Sequence, residues 1–383
     1  MKRNLYQRIS LLVGLVILVI AIFVFSGQPG AASYNNLVTT NHDTGGGNVS
    51  VGTITVLSNS NSEPWTQERM LAARPYPLES FGSEQEYSPQ LSQPQGDPAF
   101  LSGSPPAADQ HEITVQQEPQ SAAQTTAAGY NYPAPYIQYQ NFDSYQVYPY
   151  STVGVLFFEQ YGVDYRCSAA SIGNSAIWTA GHCIHKGDNS PDGWSTNVVF
   201  APAYKNGNAP LGVWTVSDFD PDNPNLFTKG FWYEFGDLRY DMAGAVLNEW
   251  NNQTISEVVG SLGFAYKLSG GLHWLNMGYP SAPPFDGKTQ QICAASFAYA
   301  DTSMPAPSPV AMGCDMTRGS SGGPWILSFS GHVGSTNFLN GNNSYRYTSH
   351  PEELFSPYFG DAAKSLYDEL LAGSATNLFE MRD

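Results

Sequence analysis

The chain is poor in charge, and poorest in positive charge. Lys, Arg, Asp and Glu together make up 13% of its 383 residues, against roughly a quarter in a typical globular domain. Only 16 Lys and Arg stand against 33 Asp and Glu, a formal net charge of −17. A surface of that sign repels a phosphate backbone, so nucleic acid is not an expected partner. Metal-binding spacings are missing too. The four cysteines contain no C-x-x-C pair and the seven histidines form no cluster at ligand spacing, so no metal and no cofactor is expected.

Tyr (23), Gly (37) and Pro (27) are plentiful instead. That mix suits short strands joined by many turns better than helical bundles. The length accommodates one large β domain plus a substantial extra segment. Lys2, Arg3 and Arg8 precede an apolar run from Ile9 to Phe25, ISLLVGLVILVIAIFVF. A positive start followed by such a run is an export signal or a membrane anchor, residues 1–26 in all. Small residues at Gly30-Ala31-Ala32 fit a cleaved signal, and the run is also near the length of a spanning helix. Both readings place the rest of the chain outside, secreted or held at the outer face of the membrane. An even cysteine count in an exported chain predicts two disulfides, with three pairings open.

Residues 27–138 read as linker. Strings such as SPQLSQPQGDP and QQEPQSAAQTTAAG bury too little apolar surface to offset ordering entropy. One island differs: Pro64-Trp65-Thr66-Gln67-Glu68-Arg69-Met70-Leu71-Ala72-Ala73-Arg74-Pro75 places strong helix formers between two prolines, which predicts a short helix. From about residue 139 to 383 the text becomes strand-like. Val153–Phe158 is apolar, and Ser175–Ala180 is a second apolar run that ends in Gly181-His182-Cys183. Far downstream stands Gly319-Ser320-Ser321-Gly322-Gly323-Pro324, continuing at once into Trp325-Ile326-Leu327. Glycines allow a tight turn with unusual backbone angles. Such a turn can aim the N–H groups of Gly319 and Ser321 at one point, as an oxyanion hole requires. Between the two motifs, Asp241 leads into small and apolar residues, Met242-Ala243-Gly244-Ala245-Val246-Leu247, whereas Asp218, Asp220, Asp222 and Asp237 sit in polar or Pro-rich text. His182, Asp241 and Ser321 thus follow the order base, acid, nucleophile.

Thr179-Ala180-Gly181-His182-Cys183 resembles the catalytic-histidine motif of the trypsin-like, chymotrypsin-fold serine peptidases. Gly319–Pro324 resembles their nucleophile loop, with Ser320 where they usually have Asp. The likeness covers roughly residues 140–375 and is greatest to the bacterial branch that includes glutamyl endopeptidases. It implies an all-β fold of two antiparallel Greek-key barrels with a C-terminal helix, here about Asp361–Leu371. It also implies a serine endopeptidase acting, as a monomer, on protein or peptide substrates. Disulfides Cys167–Cys183 and Cys293–Cys314 follow from the same resemblance. So does a primary pocket with Asp315 at its floor, selecting Lys or Arg, and Ser344 in one wall. The His that glutamyl endopeptidases carry on that wall is absent at Asn343. The chain also lacks the free N-terminal Ile-Val-Gly-Gly of trypsin-like zymogens, and Ser320 cannot pair with an ammonium group. The oxyanion loop is therefore expected to be ordered by hydrogen bonds of Ser320 and the nearby disulfide. Any restraint on activity would come from cover by the Trp65–Arg74 island, which resembles a prosegment motif. A catalytically silent binding module and a structural surface protein are the competing classes.

Overall fold

The structure, a computed structural model, describes residues 38–40, 53–56, 64–77, 79–81, 87–88, 96–107, 146–216, 225–269, 272–330 and 336–380. The expected export segment, residues 9–25, lies outside them. Among the described residues no helix is long and apolar enough to cross a membrane.

Two curled antiparallel sheets form the body. In the first, Ala243–Val246, Ala176–Thr179, Val163–Gly173, Val153–Gln160, Thr196–Pro202 and Trp214–Thr215 are neighbours in that order. An antiparallel bridge from Val216 to Leu247 returns the last strand to the first and closes a barrel. The second runs His350–Ser356, Val310–Gly313, Gln291–Asp301, His273–Gly278, Pro324–Leu327, Phe338–Asn342. Its ends meet where Ser344 N–H donates to Phe355 O and Asn342 N–H to Ser356 Oγ, both at 2.9 Å.

The strand text is apolar on both faces because both faces are buried. Along Val153–Gln160, Leu156 and Phe158 point into the first barrel with Cys167, Ile177, Phe200 and Trp214. Val153, Val155 and Phe157 point out, into a cluster shared with Phe264, Met277, Ile326 and Leu339 of the second sheet. The second barrel encloses Trp274, Met312, Trp325 and Leu354. Each such side chain contributes about 1.5–3 kcal/mol by leaving water. The C-terminal helix seals the shared cluster with Ala363, Leu366, Tyr367 and Leu370. It spans Asp361–Glu380, longer than the sequence indicates. Gly373, inside the helix, is a close-packing position: a Cβ there would lie 3.1 Å from the Phe227 ring.

Both disulfides expected from the resemblance are present, Cys167–Cys183 and Cys293–Cys314. Part of the stretch read as linker is built into the fold. Gln67–Ala72 is helical, and Ala99–Leu101 pairs with Gly263–Tyr266. Propensity placed that helix correctly. The strand pairings could not be read locally, because the partner supplies the apolar surface.

Candidate active site

Strand Ala176–Thr179 ends at Ala180, and the chain turns into one helical turn, Gly181–Ile184, closed by His185 N–H to Gly181 O at 2.8 Å. That turn lifts His182 off the strand, and the adjacent disulfide ties it to Cys167. Asp241 stands between the turn Leu238–Tyr240 and strand Ala243–Val246. This strand pairs with Ala176–Thr179, so register alone brings Asp241 beside His182. Asp241 Oδ1 accepts His182 N–H at 2.8 Å, and Oδ2 lies 2.8 Å from His182 Nδ1. Ser344 donates its hydroxyl to the same Oδ2 at 2.5 Å. The carboxylate is fully buried and is satisfied by these bonds. A carboxylate on Nδ1 keeps the proton there, which leaves the lone pair on Nε2.

The nucleophile loop comes from the second barrel. Gly319 has φ +93° and Gly322 φ +79°, conformations in which L side chains are strained. At Gly322 space decides too, since a Cβ would lie 2.1 Å from Thr179 Oγ1 and 2.8 Å from Ala180 N. The loop therefore rests on the strand end that carries His182. Two carbonyls fix its peptide planes. Arg318 O accepts Ser281 N–H at 2.7 Å, and Ser320 O accepts Asn343 Nδ2 at 3.0 Å and Gly323 N–H at 2.9 Å. In a trans peptide the N–H points opposite to the C=O. Both anchors thus turn the following N–H groups, those of Gly319 and Ser321, away from the anchoring side.

Ser321 Oγ and His182 Nε2 are both buried, and among the described residues neither has a hydrogen-bond partner. The bond that would join the two halves is open in this arrangement. Catalytic hydrogen bonds are often long or misaligned until substrate is bound.

The structure places two of the expected residues as follows. Among the described residues the Ser320 hydroxyl is buried without a partner, so the loop is held through the Ser320 carbonyl and not this side chain. That carbonyl is gripped by Asn343, whose Oδ1 accepts from Asn276 Nδ2 at 2.6 Å and Trp325 Nε1 at 2.8 Å. Ser344, expected in the pocket wall, points its hydroxyl at Asp241. Asp315 is half-buried, its Oδ1 without a partner among the described residues, and burial raises its pKa while Arg346 opposes that rise. Arg346 donates to Pro351 O at 2.8 Å and to Met316 O. Burial pulls its pKa down to about 10.

The sequence reading missed Asn276, Asn343 and Tyr76, whose ring stacks on His182. A signal existed for Asn276, which sits in strand text between Leu275 and Met277, and a buried amide needs partners.

No family model and no curated protein matches the chain. Among solved structures, AL20, a thermostable serine protease from an extremophilic microorganism, is 34% identical. That match covers 57% of this chain and 96% of its own, with a TM-score of 0.50. The protease Anisep from Arthrobacter nicotinovorans is 36% identical over 58% of this chain and 96% of its own, with a TM-score of 0.52. With two barrels, two disulfides and near-complete coverage of these relatives, the chain belongs to the trypsin-like, chymotrypsin-fold serine peptidases.

Proposed function

We propose that the chain is a serine endopeptidase with His182, Asp241 and Ser321 as its triad, working outside the cell. The observation that carries this is the buried His182–Asp241 pair, with Nδ1 on the carboxylate and Nε2 left bare. A serine hydroxyl is a weak nucleophile until a base takes its proton. Ser321 Oγ attacks the scissile carbonyl carbon while His182 Nε2 accepts the hydroxyl proton. The carbonyl oxygen becomes an oxyanion facing the N–H groups of Gly319 and Ser321. The C–N bond breaks as His182 returns the proton to the leaving amine. Water, deprotonated by the same imidazole, then releases the acyl group from Ser321. Asp241 keeps the imidazole in one tautomer and balances its charge when it is protonated.

The positive start, the apolar run at residues 9–25 and two disulfides support export. Selection of Lys or Arg by Asp315 has less support, because the guanidinium of Arg346 already neighbours that carboxylate.

Hydrolysis of an unfolded protein substrate tests the assignment. Ser321→Ala and His182→Ala should each lower kcat by about 10⁵-fold or more with the fold intact by circular dichroism. Wild-type turnover by Ser321→Ala would end it.

A further inference from the structure

The segment that precedes the domain lies across the candidate active site. Thr66 caps helix Gln67–Ala72 by accepting Arg69 N–H at 3.2 Å. Met70 and Ala73 from this stretch are buried with Val155, Phe157, Val199 and Tyr204 of the first barrel. Trp65 donates Nε1–H to Asn197 O at 2.7 Å, and its ring lies 5.3 Å from that of Phe157. Arg69 sits over the Trp65 ring and forks onto Asp164 at 2.8 and 2.9 Å, with a further bond to Glu159. These contacts join one helix to the hairpin Val153–Gln160 and Val163–Gly173 through apolar, aromatic and charged groups at once.

Beyond the helix the chain enters the cleft. Arg74 and Pro75 pair in parallel with Tyr165 and Arg166, and Tyr76 N–H donates to Arg166 O at 3.0 Å. The Tyr76 ring stacks on the His182 imidazole, with centroids 5.2 Å apart and planes 25° from parallel. Its hydroxyl donates to Gln160 Oε1 at 2.5 Å. Tyr76 is 2% exposed and His182 1%. The backbone then pairs Glu79–Phe81 in parallel with Tyr345–Tyr347, the strand that follows directly from Asn343 and Ser344. Residues 76 and 79–81 thus stand at the His182 side of the site and beside the strand that follows Ser344, respectively.

Arg166 shows how closely the barrel fits this occupant. It is 4% exposed, and among the described residues no carboxylate pairs with it. Its Nε and Nη2 instead donate to Ala73 O and Leu71 O, both at 2.9 Å, and Nη1 to Gly287 O at 3.3 Å. A buried cation needs oxygen ligands, and two of these are backbone carbonyls of the upstream segment.

We propose that Pro64–Phe81 is an intramolecular ligand of the cleft that keeps the enzyme latent until it is displaced. The proposal rests on the serine-peptidase reading only for the word latent. The Tyr76 ring covers one face of the His182 imidazole, which is buried beneath it. The surface it occupies accepts a peptide whose aromatic residue lies over that imidazole, with a basic residue on the preceding helix anchored by Asp164 and Glu159.

Two readouts on the full chain test cover and catalysis separately. The first is carbethoxylation of His182 by diethyl pyrocarbonate, mapped by mass spectrometry, which needs an exposed imidazole and no triad. Intact wild type should react slowly at His182, and Tyr76→Ala and Arg69→Ala about 30-fold faster, the scale for losing an anchor at an interface. A synthetic peptide of residues 64–81 should slow the reaction of the Tyr76→Ala chain again, and the same peptide carrying Tyr76→Ala should not. Both variants alter the segment and leave the barrels untouched, and the peptide arm does not depend on how either variant folds. Equal His182 reactivity in all three chains, with no effect of the peptide, overturns the proposal. The second readout is fluorophosphonate labelling of Ser321 in the same samples. If His182 opens in the variants and Ser321 stays unlabelled, the cover stands and the triad reading fails.

Discussion

The two halves of the site are held by different physics. On the first barrel, His182 and Asp241 form a buried imidazole–carboxylate pair, with strand register and a disulfide placing both partners. On the second, Ser321 rides a glycine-rich loop whose carbonyls are held by neutral donors, Asn343 and Ser281. The charged half sets where a proton resides. The neutral half sets where two N–H groups point. A peptidase needs both, and the difference shows why their failures should look unlike each other. Loss of the charge partner changes the chemistry of the base. Loss of an amide changes the aim of the loop.

Asp241→Asn should give the larger effect. It keeps the shape but can donate to Nδ1, which favours the wrong imidazole tautomer, and kcat should fall about 10⁴-fold. A fall of tenfold or less, measured on a peptide substrate, would mean that the pair does not govern the base. The amide half should break more mildly. Asn343→Leu strips the Ser320 carbonyl of a donor and leaves Asn276 and Trp325 short of a partner. It should lower both Tm and kcat, the latter by about 10–100-fold, with KM little changed. Adding Asn276→Leu removes the second amide as well, which relieves its share of the unpaired-group penalty and leaves that of Trp325 Nε1. The double variant should regain Tm while kcat stays low. Recovery of kcat together with Tm would reduce Asn343 to a packing role.

The same contrast explains what could be read from sequence. His182, Asp241 and Ser321 could be singled out because each sits in a local string with a mechanical reason: a strand end, an entry to a buried strand, a turn that glycine permits; of the three, the structure joins His182 to Asp241. The cysteine pairing came with the family resemblance and is present in the fold. Asn343 was noticed only for not being His. Its role depends on Asn276 and Trp325, which are distant in sequence and meet it only when strands Pro324–Leu327 and His273–Gly278 pair. Ser344 was placed in the pocket wall by the family resemblance, and local text does not say that its hydroxyl meets Asp241. The island near residues 64–75 was legible as a helix from its composition and its two flanking prolines. The stacking of Tyr76 on His182 lies just past the proline that seemed to end it.

The central claim is that one serine, activated by His182, carries the chemistry. Treating the cover-loosened Tyr76→Ala chain with a fluorophosphonate and locating the adduct by peptide mass spectrometry tests this most directly. The account predicts a single phosphonylated peptide carrying Ser321, and no such adduct when His182→Ala is added. An adduct on another residue, or equal labelling of Ser321 with and without His182, would contradict it.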